Sequence, residues 1–256
     1  MRALPPNTPD WIQRHRAAWA SKPALKGWYE AEIFSRLDVR LAPGRTLQLG
    51  CGPGFYGRDR SDFLNVDLTA HNGVDVACDV HALPFPDGTF QNVVAIDVLH
   101  HLARPGEALA QIARVLAPTG KCLLVEPWAD WLGWLVYRFL HHEDCRAVAD
   151  PWRQAFAPNK SPMDGNAWIP RALLWRRSSE LGTHVPGFAV AEVEPFGSFS
   201  YLATGGFGKR GLSASAVESL AKFETALPEQ MRRALALRAL FVLSRSDSPN
   251  RGTSDA

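Results

Sequence analysis

Thr46-Leu-Gln-Leu-Gly-Cys-Gly-Pro-Gly-Phe55 decides how this chain is read. Residues 47–49 form a short apolar run, the mark of a buried strand, and lead directly into Gly50, Gly52 and Gly54. Glycines at that spacing let the backbone turn sharply and approach a ligand with no Cβ in between. A dinucleotide fingerprint, G-x-G-x-x-G/A, asks for a small sixth residue so that helix can pack on strand. Phe55 stands at that position, and Pro53 at the fourth removes an N–H that a pyrophosphate would use. A nicotinamide or flavin site is therefore disfavoured.

Downstream, apolar runs alternate with helix-length connections. Residues 63–67 read as a strand ending in Asp67, residues 74–78 as one followed by Asp79, residues 91–97 as a fourth and residues 121–126 as a fifth. Between the last two, a helix starting near Pro105 carries Leu109, Ile112, Ala113 and Leu116 on one face and stops at Pro118-Thr-Gly120. This alternation predicts a parallel, doubly wound sheet, in which ligands sit beyond the carboxyl ends of the strands. Asp67 lies 17 positions after Gly50, at such an end. A carboxylate there can accept hydrogen bonds from two vicinal ribose hydroxyls; the plainer role is that of a strand-end turn residue.

The glycine loop resembles motif I of the class I S-adenosylmethionine (SAM) methyltransferases, [VIL]-L-[DE]-[LV]-G-C-G-x-G, departing from it at Gln48, where that family has an acid. Residues 79–90, Asp-Val-His-Ala-Leu-Pro-Phe-Pro-Asp-Gly-Thr-Phe, resemble the family's G-D-A-x-x-L-P-F-x-D-x-S-F-D segment. Four segments agree in register, at 46–54, 63–67, 79–90 and 93–126. They lie within 46–126, about a third of the chain, and are most similar to the type-11 branch, which includes quinone-biosynthesis methyltransferases; a vaguer likeness points to methyltransferases encoded with bacterial glycan genes. The resemblance implies an α/β fold with a doubly wound, Rossmann-like, seven-stranded sheet, SAM as cofactor and S-adenosylhomocysteine (SAH) as product. It implies cofactor contacts from Gln48, Gly50, Cys51, Gly52, Gly54, Asp67, Leu68, Asp79, Val80 and Asp97. Among these, Asp79 would accept from the adenine amino group and the Val80 backbone would face the ring. Gln48 can still accept a hydrogen bond at the amino-acid end of SAM but brings no charge.

The rest of the chain is arranged around that core, taken as residues 41–126. Residues 1–8 are expected to be disordered. A helix starts at Pro9, and a second carries Leu25, Trp28, Tyr29, Ile33, Phe34 and Leu37 at helical spacing, completing an N-terminal helical segment over 1–40. In the resembled family such helices often cover the cofactor and substrate; packing on the sheet is the alternative. Residues 127–186 form a helical insertion or cap, in which 128–140 are almost wholly apolar. Thirteen residues cannot span a bilayer, which needs about 20, so a buried, lid-forming or interfacial helix is expected. A further helix is expected over 167–181. Residues 187–245 supply the last two strands, near 187–194 and 239–244, with a glycine-rich loop and helices between them. Residues 246–256 are expected to be a disordered tail.

Chemistry should concentrate in a few side chains. Methyl transfer from an activated sulfonium is an in-line displacement needing alignment and, for a protic acceptor, a base. His100 and His101 follow the fourth strand directly and are the candidate bases; capping or packing is the plainer role. His141-His-Glu-Asp144 looks like a metal cluster on paper, yet adjacent helical side chains diverge, so no metal is expected and His141 is instead a candidate substrate contact. Trp131 and Trp134 are the other candidate substrate contacts, since an aromatic cap suits an apolar acceptor. The four cysteines, scattered without a C-x-x-C pair, read as reduced and buried. A net charge of +2 leaves no basic footprint for nucleic acid, and the Pro-rich opening lacks a signal-peptide core, so a cytoplasmic enzyme is the default. The reading that results is methyl transfer to a small-molecule acceptor that is apolar, aromatic or linked to lipid or glycan. The alternative is a SAM-binding protein without transferase activity that acts through a partner.

Overall fold

The computed structural model describes residues 9–141, 143–153, 156, 161, 164–208 and 210–245. Both chain ends and His142 therefore lie outside the described residues. Seven strands form one sheet: β1 (Thr46–Leu49), β2 (Phe63–Asp67), β3 (Val76–Ala77), β4 (Phe90–Ile96), β5 (Leu116–Pro127), β6 (Phe188–Phe196) and β7 (Arg238–Arg245). Their order is β3-β2-β1-β4-β5-β7-β6. The pairs β1–β2, β1–β4, β2–β3 and β4–β5 are parallel, and β7 runs antiparallel between β5 and β6. This is the doubly wound sheet that the alternating pattern predicts, with the seven strands that the resemblance implies, and residues 239–244 are strand.

The central strands are buried on both faces, so they read as continuous apolar runs. The period of two then divides each run between two cores. Leu47, Val93, Leu124 and Phe241 pack on one side with Leu109, Ile112 and Trp128. Val94, Leu123, Val125, Leu240 and Val242 pack on the other with Leu25, Trp28, Ile33 and Leu37. The N-terminal helices Pro9–Ser21 and Pro23–Trp28, with the π-helical turn Tyr29–Phe34 that follows, are thus part of the second core as well as a cover. The insertion is not detached either: Trp128, Trp152, Ile169, Leu173, Leu174 and Leu181 all belong to the first core.

Three element boundaries differ from the expectation. β3 is two residues long: the Asp75 N–H still donates to the Asn65 carbonyl (2.7 Å), but the Asp75 carboxylate, in place of a backbone carbonyl, accepts from the Asn65 N–H (2.7 Å). β5 begins at Leu116 rather than at 121. Leu116 is fully buried and pairs with Phe90 across a register shift, and a Cβ at Gly120 would lie 2.7 Å from Leu116 Cγ, so only glycine lets the chain double back there. The helix expected over 167–181 is broken into Ile169–Arg171, a π turn Ala172–Arg176, a 3-10 turn Ser178–Glu180 and Leu181–His184. Among the described residues no helix is long and apolar enough to cross a membrane.

Candidate functional site

A cavity of about 780 Å³ opens at the carboxyl ends of β1, β2 and β4. Pockets for one drug-sized ligand run from about 300 to 1,000 Å³, so this one is of a size to hold a bound small molecule. The glycine loop forms one wall. Gly50 and Gly52 have φ of 57° and 49°, which non-glycine residues rarely adopt. A Cβ at Gly50 would lie 2.6 Å from Val98 Cγ2, whereas at Gly52 it would meet nothing within 4 Å. The first glycine therefore seats the loop on the segment after β4, and the second leaves backbone bare toward the cavity. The Gly52 N–H donates to Asp67 Oδ2 (2.9 Å), which draws the end of β2 and the loop together.

The sequence-predicted cofactor residues converge here: Gln48, Gly50, Cys51, Gly52, Asp67, Leu68, Asp79, Val80 and Asp97 all line the cavity, while Gly54 is not itself in the lining although its neighbours Pro53 and Phe55 are. Asp79 caps the turn after β3, accepting from the His81 N–H (2.9 Å) and His81 Nδ1 (2.6 Å). Gln48 is 3% exposed and its Oε1 has no hydrogen-bond partner among the described residues. That oxygen is packed against Gly57, beside Asn65 Oδ1, and is closed off from the cavity. The bare backbone at Gly52 is the part of this wall left open for the polar end of SAM. Phe55, too large for a dinucleotide loop, stacks on Trp19 (centroids 4.2 Å apart). From the same helix Arg16 Nε donates to the Pro53 carbonyl (3.0 Å), so the N-terminal segment closes directly over the glycine loop and contributes Trp11, His15, Tyr29 and Phe34 to the lining.

The opposite wall is polar and more deeply buried. Glu126, at the end of β5, is 0% exposed. Its Oε1 accepts from the Val98 and Leu99 N–H groups (2.9 and 2.7 Å), and Oε2 accepts from His100 Nδ1 (2.6 Å). His100 Nε2 lies 3.4 Å from Glu143 Oε2, and His101 Nε2 lies 3.7 Å from Glu143 Oε1. Burial opposes charge on His100, but Glu126 and Glu143 outweigh it and raise its pKa to about 10. Burial and the neighbouring His100 push His101 down to about 4. Burial likewise opposes charge on Glu143, yet the histidines around it hold it at about 2. His101, His141 and Glu143 all face the cavity.

Two further features were not foreseen from sequence. Arg238 opens β7, is 4% exposed and lines the cavity, with Nη2 2.7 Å from Asp97 Oδ1. Asp97 itself has φ 59°, an uncommon value for a residue with a side chain, of the kind that clusters at functional sites. A charge at the head of an apolar strand was the available signal for Arg238. The second feature is the turn at 164–167. A Cβ at Gly165 would lie 2.8 Å from Glu143 Cδ and 3.0 Å from His100 Cδ2, and the Asn166 N–H donates to the His100 carbonyl (2.9 Å). Glycine is needed there for the insertion to press Glu143 against the histidines.

Trp131 and Trp134 stand apart from this site. They are 63% and 44% exposed and lie outside the cavity lining, whereas Val136 and Tyr137 of the same helix, Trp131–Phe139, are within it. The reason is Gly133, whose Cβ would collide with the Trp128 carbonyl. The helix is held by the face bearing Gly133, Val136 and Tyr137, and an all-apolar sequence carried no information about which face that would be. We expect Trp131→Ala and Trp134→Ala each to change stability by no more than about 0.5 kcal/mol and to leave SAH affinity unaltered, as measured by denaturant unfolding and calorimetry. A large loss of either would mean that this face is covered.

Residues 47–124 match the type-11 family model described as a methyltransferase domain. The chain is 28% identical over 114 residues to a malonyl-[acyl-carrier protein] O-methyltransferase of Legionella pneumophila, covering 37% of this chain and 40% of that one. It is 29% identical over 168 residues to a probable tRNA methyltransferase 9B of Homo sapiens, covering 55% of this chain and 36% of that one. The chain thus spans well under half the length of these curated relatives. In fold it is similar to a SAM-dependent methyltransferase from Archaeoglobus fulgidus, with a TM-score of 0.50 at 13% identity, covering 83% of this chain and 91% of that one. Residues 47–124 are thus similar to a methyltransferase domain of the type-11 family, and the seven-stranded sheet is built around them.

Proposed function

We propose that the chain transfers a methyl group from SAM to a small-molecule acceptor held against the Glu126–His100–Glu143 wall. The observation that carries this reading is a single cavity joining the glycine-loop pocket to a buried imidazole–carboxylate cluster, under aromatic side chains from both the N-terminal helices and the insertion. Asp67 would take the ribose hydroxyls, Asp79 and the Val80 backbone the adenine, and the Gly52 backbone with Asp97 the amino-acid end. In the transfer the methyl–sulfur bond breaks with its electron pair going to sulfur, giving SAH. The acceptor atom forms the new bond, and its proton leaves toward the cluster. His100, which donates from Nδ1 to Glu126 and faces Glu143 at Nε2, serves to fix charge and geometry; His101, kept neutral by burial and by the neighbouring His100, lines the cavity as a hydrogen-bond acceptor that would orient a protic acceptor group.

The aromatic lining from Trp11, Tyr29, Phe34, Tyr137 and Phe207 suits a small apolar or aromatic acceptor. A net charge of +2 provides little of the electrostatic attraction on which nucleic-acid binding rests. The test is SAH release, with SAM supplied, against phenolic, lipid-linked and saccharide acceptors and against tRNA. Turnover with the first group supports the proposal, and turnover with tRNA alone overturns the small-molecule part. The second reading, a SAM-binding protein that acts through a partner, is favoured if SAM binds and no acceptor yields SAH.

A further inference from the structure

We infer that His100 Nε2, His101 Nε2 and the Glu143 carboxylate form a binding site for a first-row divalent transition-metal ion, with Glu126 as the outer carboxylate that orients His100. One donor atom from each of the three residues lies within 4.8 Å of the other two. Metal–ligand distances of 2.0–2.1 Å in a tetrahedral site separate neighbouring donors by roughly 3.3 Å. His100 Nε2 lies 3.4 Å from Glu143 Oε2 and His101 Nε2 lies 3.7 Å from Glu143 Oε1, so the two imidazoles already stand beside the same carboxylate, one at each oxygen.

Three further observations point the same way. The first is the tautomer of His100. A carboxylate only accepts, so the 2.6 Å contact with Glu126 requires a proton on Nδ1 and turns Nε2 toward Glu143. Metal-binding histidines are typically held by just such a carboxylate behind the ring. The second is rigidity. Glu126 is itself fixed by the Val98 and Leu99 N–H groups, and Gly165 packs directly behind both Glu143 and His100. The third is charge. Two buried carboxylates, Glu126 and Glu143, face two histidines whose rings are 4.1 Å apart, too close to carry two positive charges cheaply. A divalent cation bound to two neutral imidazoles and flanked by both carboxylates leaves the cluster neutral.

The mixed nitrogen and oxygen donors favour zinc, iron or manganese over magnesium or calcium, which prefer all-oxygen sites. His141, whose Nδ1 accepts from the Glu143 N–H (3.4 Å), sits beside the three ligands rather than among them. The sequence reading weighed residues 141–144 by themselves and expected no metal; the inferred site instead joins Glu143 of that run to His100 and His101 of the turn after β4. His101 and Glu143 line the cavity, so the open coordination positions would face the acceptor, where a metal would orient a hydroxyl or carbonyl oxygen and ease loss of its proton. That catalytic use rests on the proposed methyl transfer; the binding site does not.

The test is a titration of the chelator-stripped full chain with zinc, then manganese and magnesium, in competition with a chromophoric chelator. We expect one zinc per chain with a Kd of micromolar or tighter, and magnesium at least 100-fold weaker. His101→Ala and Glu143→Gln should each weaken zinc at least 100-fold, while keeping the wild-type thermal shift with SAH as the control for folding. The absence of saturable one-to-one zinc binding to the wild type overturns the inference, as does zinc affinity unchanged in both variants. Should one variant fail to fold, the other decides. A chain that binds SAH but not zinc fails here only, and one that binds zinc but neither SAM nor SAH fails the proposed function only.

Discussion

Asp67→Ala abolishes most of the thermal stabilisation that SAH confers on the wild-type chain. A ligand that binds only the folded state stabilises it by RT ln(1 + [L]/Kd), about 2.7 kcal/mol at 100 Kd. Asp67 is 5% exposed at the end of β2 and lines the cavity, so the bonds it would give a ribose form away from bulk water. Each charge-assisted hydrogen bond is worth about 1.5–3 kcal/mol; losing two therefore raises Kd by about 10²–10⁴. The variant also removes the acceptor of the Gly52 N–H, loosening the glycine loop. Asp67→Asn separates the two effects, since it keeps an acceptor for Gly52 and loses the charge: its shift should fall between those of wild type and Asp67→Ala. A full SAH shift in Asp67→Ala removes this residue from the cofactor site, and a larger shift with NAD than with SAH would overturn the assignment of the cavity to SAM.

The glycine-loop side of the cavity was legible in the sequence because it is made of consecutive or strand-end residues. Gly50, Gly52, Asp67 and Asp79 follow apolar runs whose ends mark the carboxyl edge of a parallel sheet, and the sheet places them together without further instruction. The histidine–carboxylate cluster is assembled differently. Glu126, His100, Glu143 and Gly165 come from four separate stretches, and their meeting depends on how the insertion folds back over the turn after β4. Nothing in local spacing announces that return. The apolar run at 128–140 shows the same limit: it predicted a helix, while which of its faces meets the protein was decided by Gly133 against the Trp128 carbonyl. Arg238 escaped notice because a strand reading attends to the apolar residues of 239–244 and treats the preceding charge as a boundary. Burial turns that boundary residue into part of the cavity wall.

Glu126→Ala should destabilise the chain more than any other single substitution at the cavity, by about 3–5 kcal/mol, the range for removing one partner of a buried ion pair. That is a large fraction of the 5–15 kcal/mol by which a domain of ordinary stability stays folded. The cost has two sources on opposite sides of the carboxylate. The Val98 and Leu99 N–H groups lose their acceptor in a place water does not reach, and His100, 2% exposed, keeps only Glu143. Glu126→Gln tests this division. Its amide oxygen can still accept from the two backbone N–H groups, so only the His100 contact suffers, and the loss should fall to about 1.5–3 kcal/mol. Denaturant unfolding of the chelator-stripped chains measures both, with the slope m unchanged so that the midpoints compare directly. The order wild type, Gln, Ala is the expected result. Equal stabilities for Ala and wild type would mean that the Glu126–His100 pair is open to water and that the buried wall described here does not form.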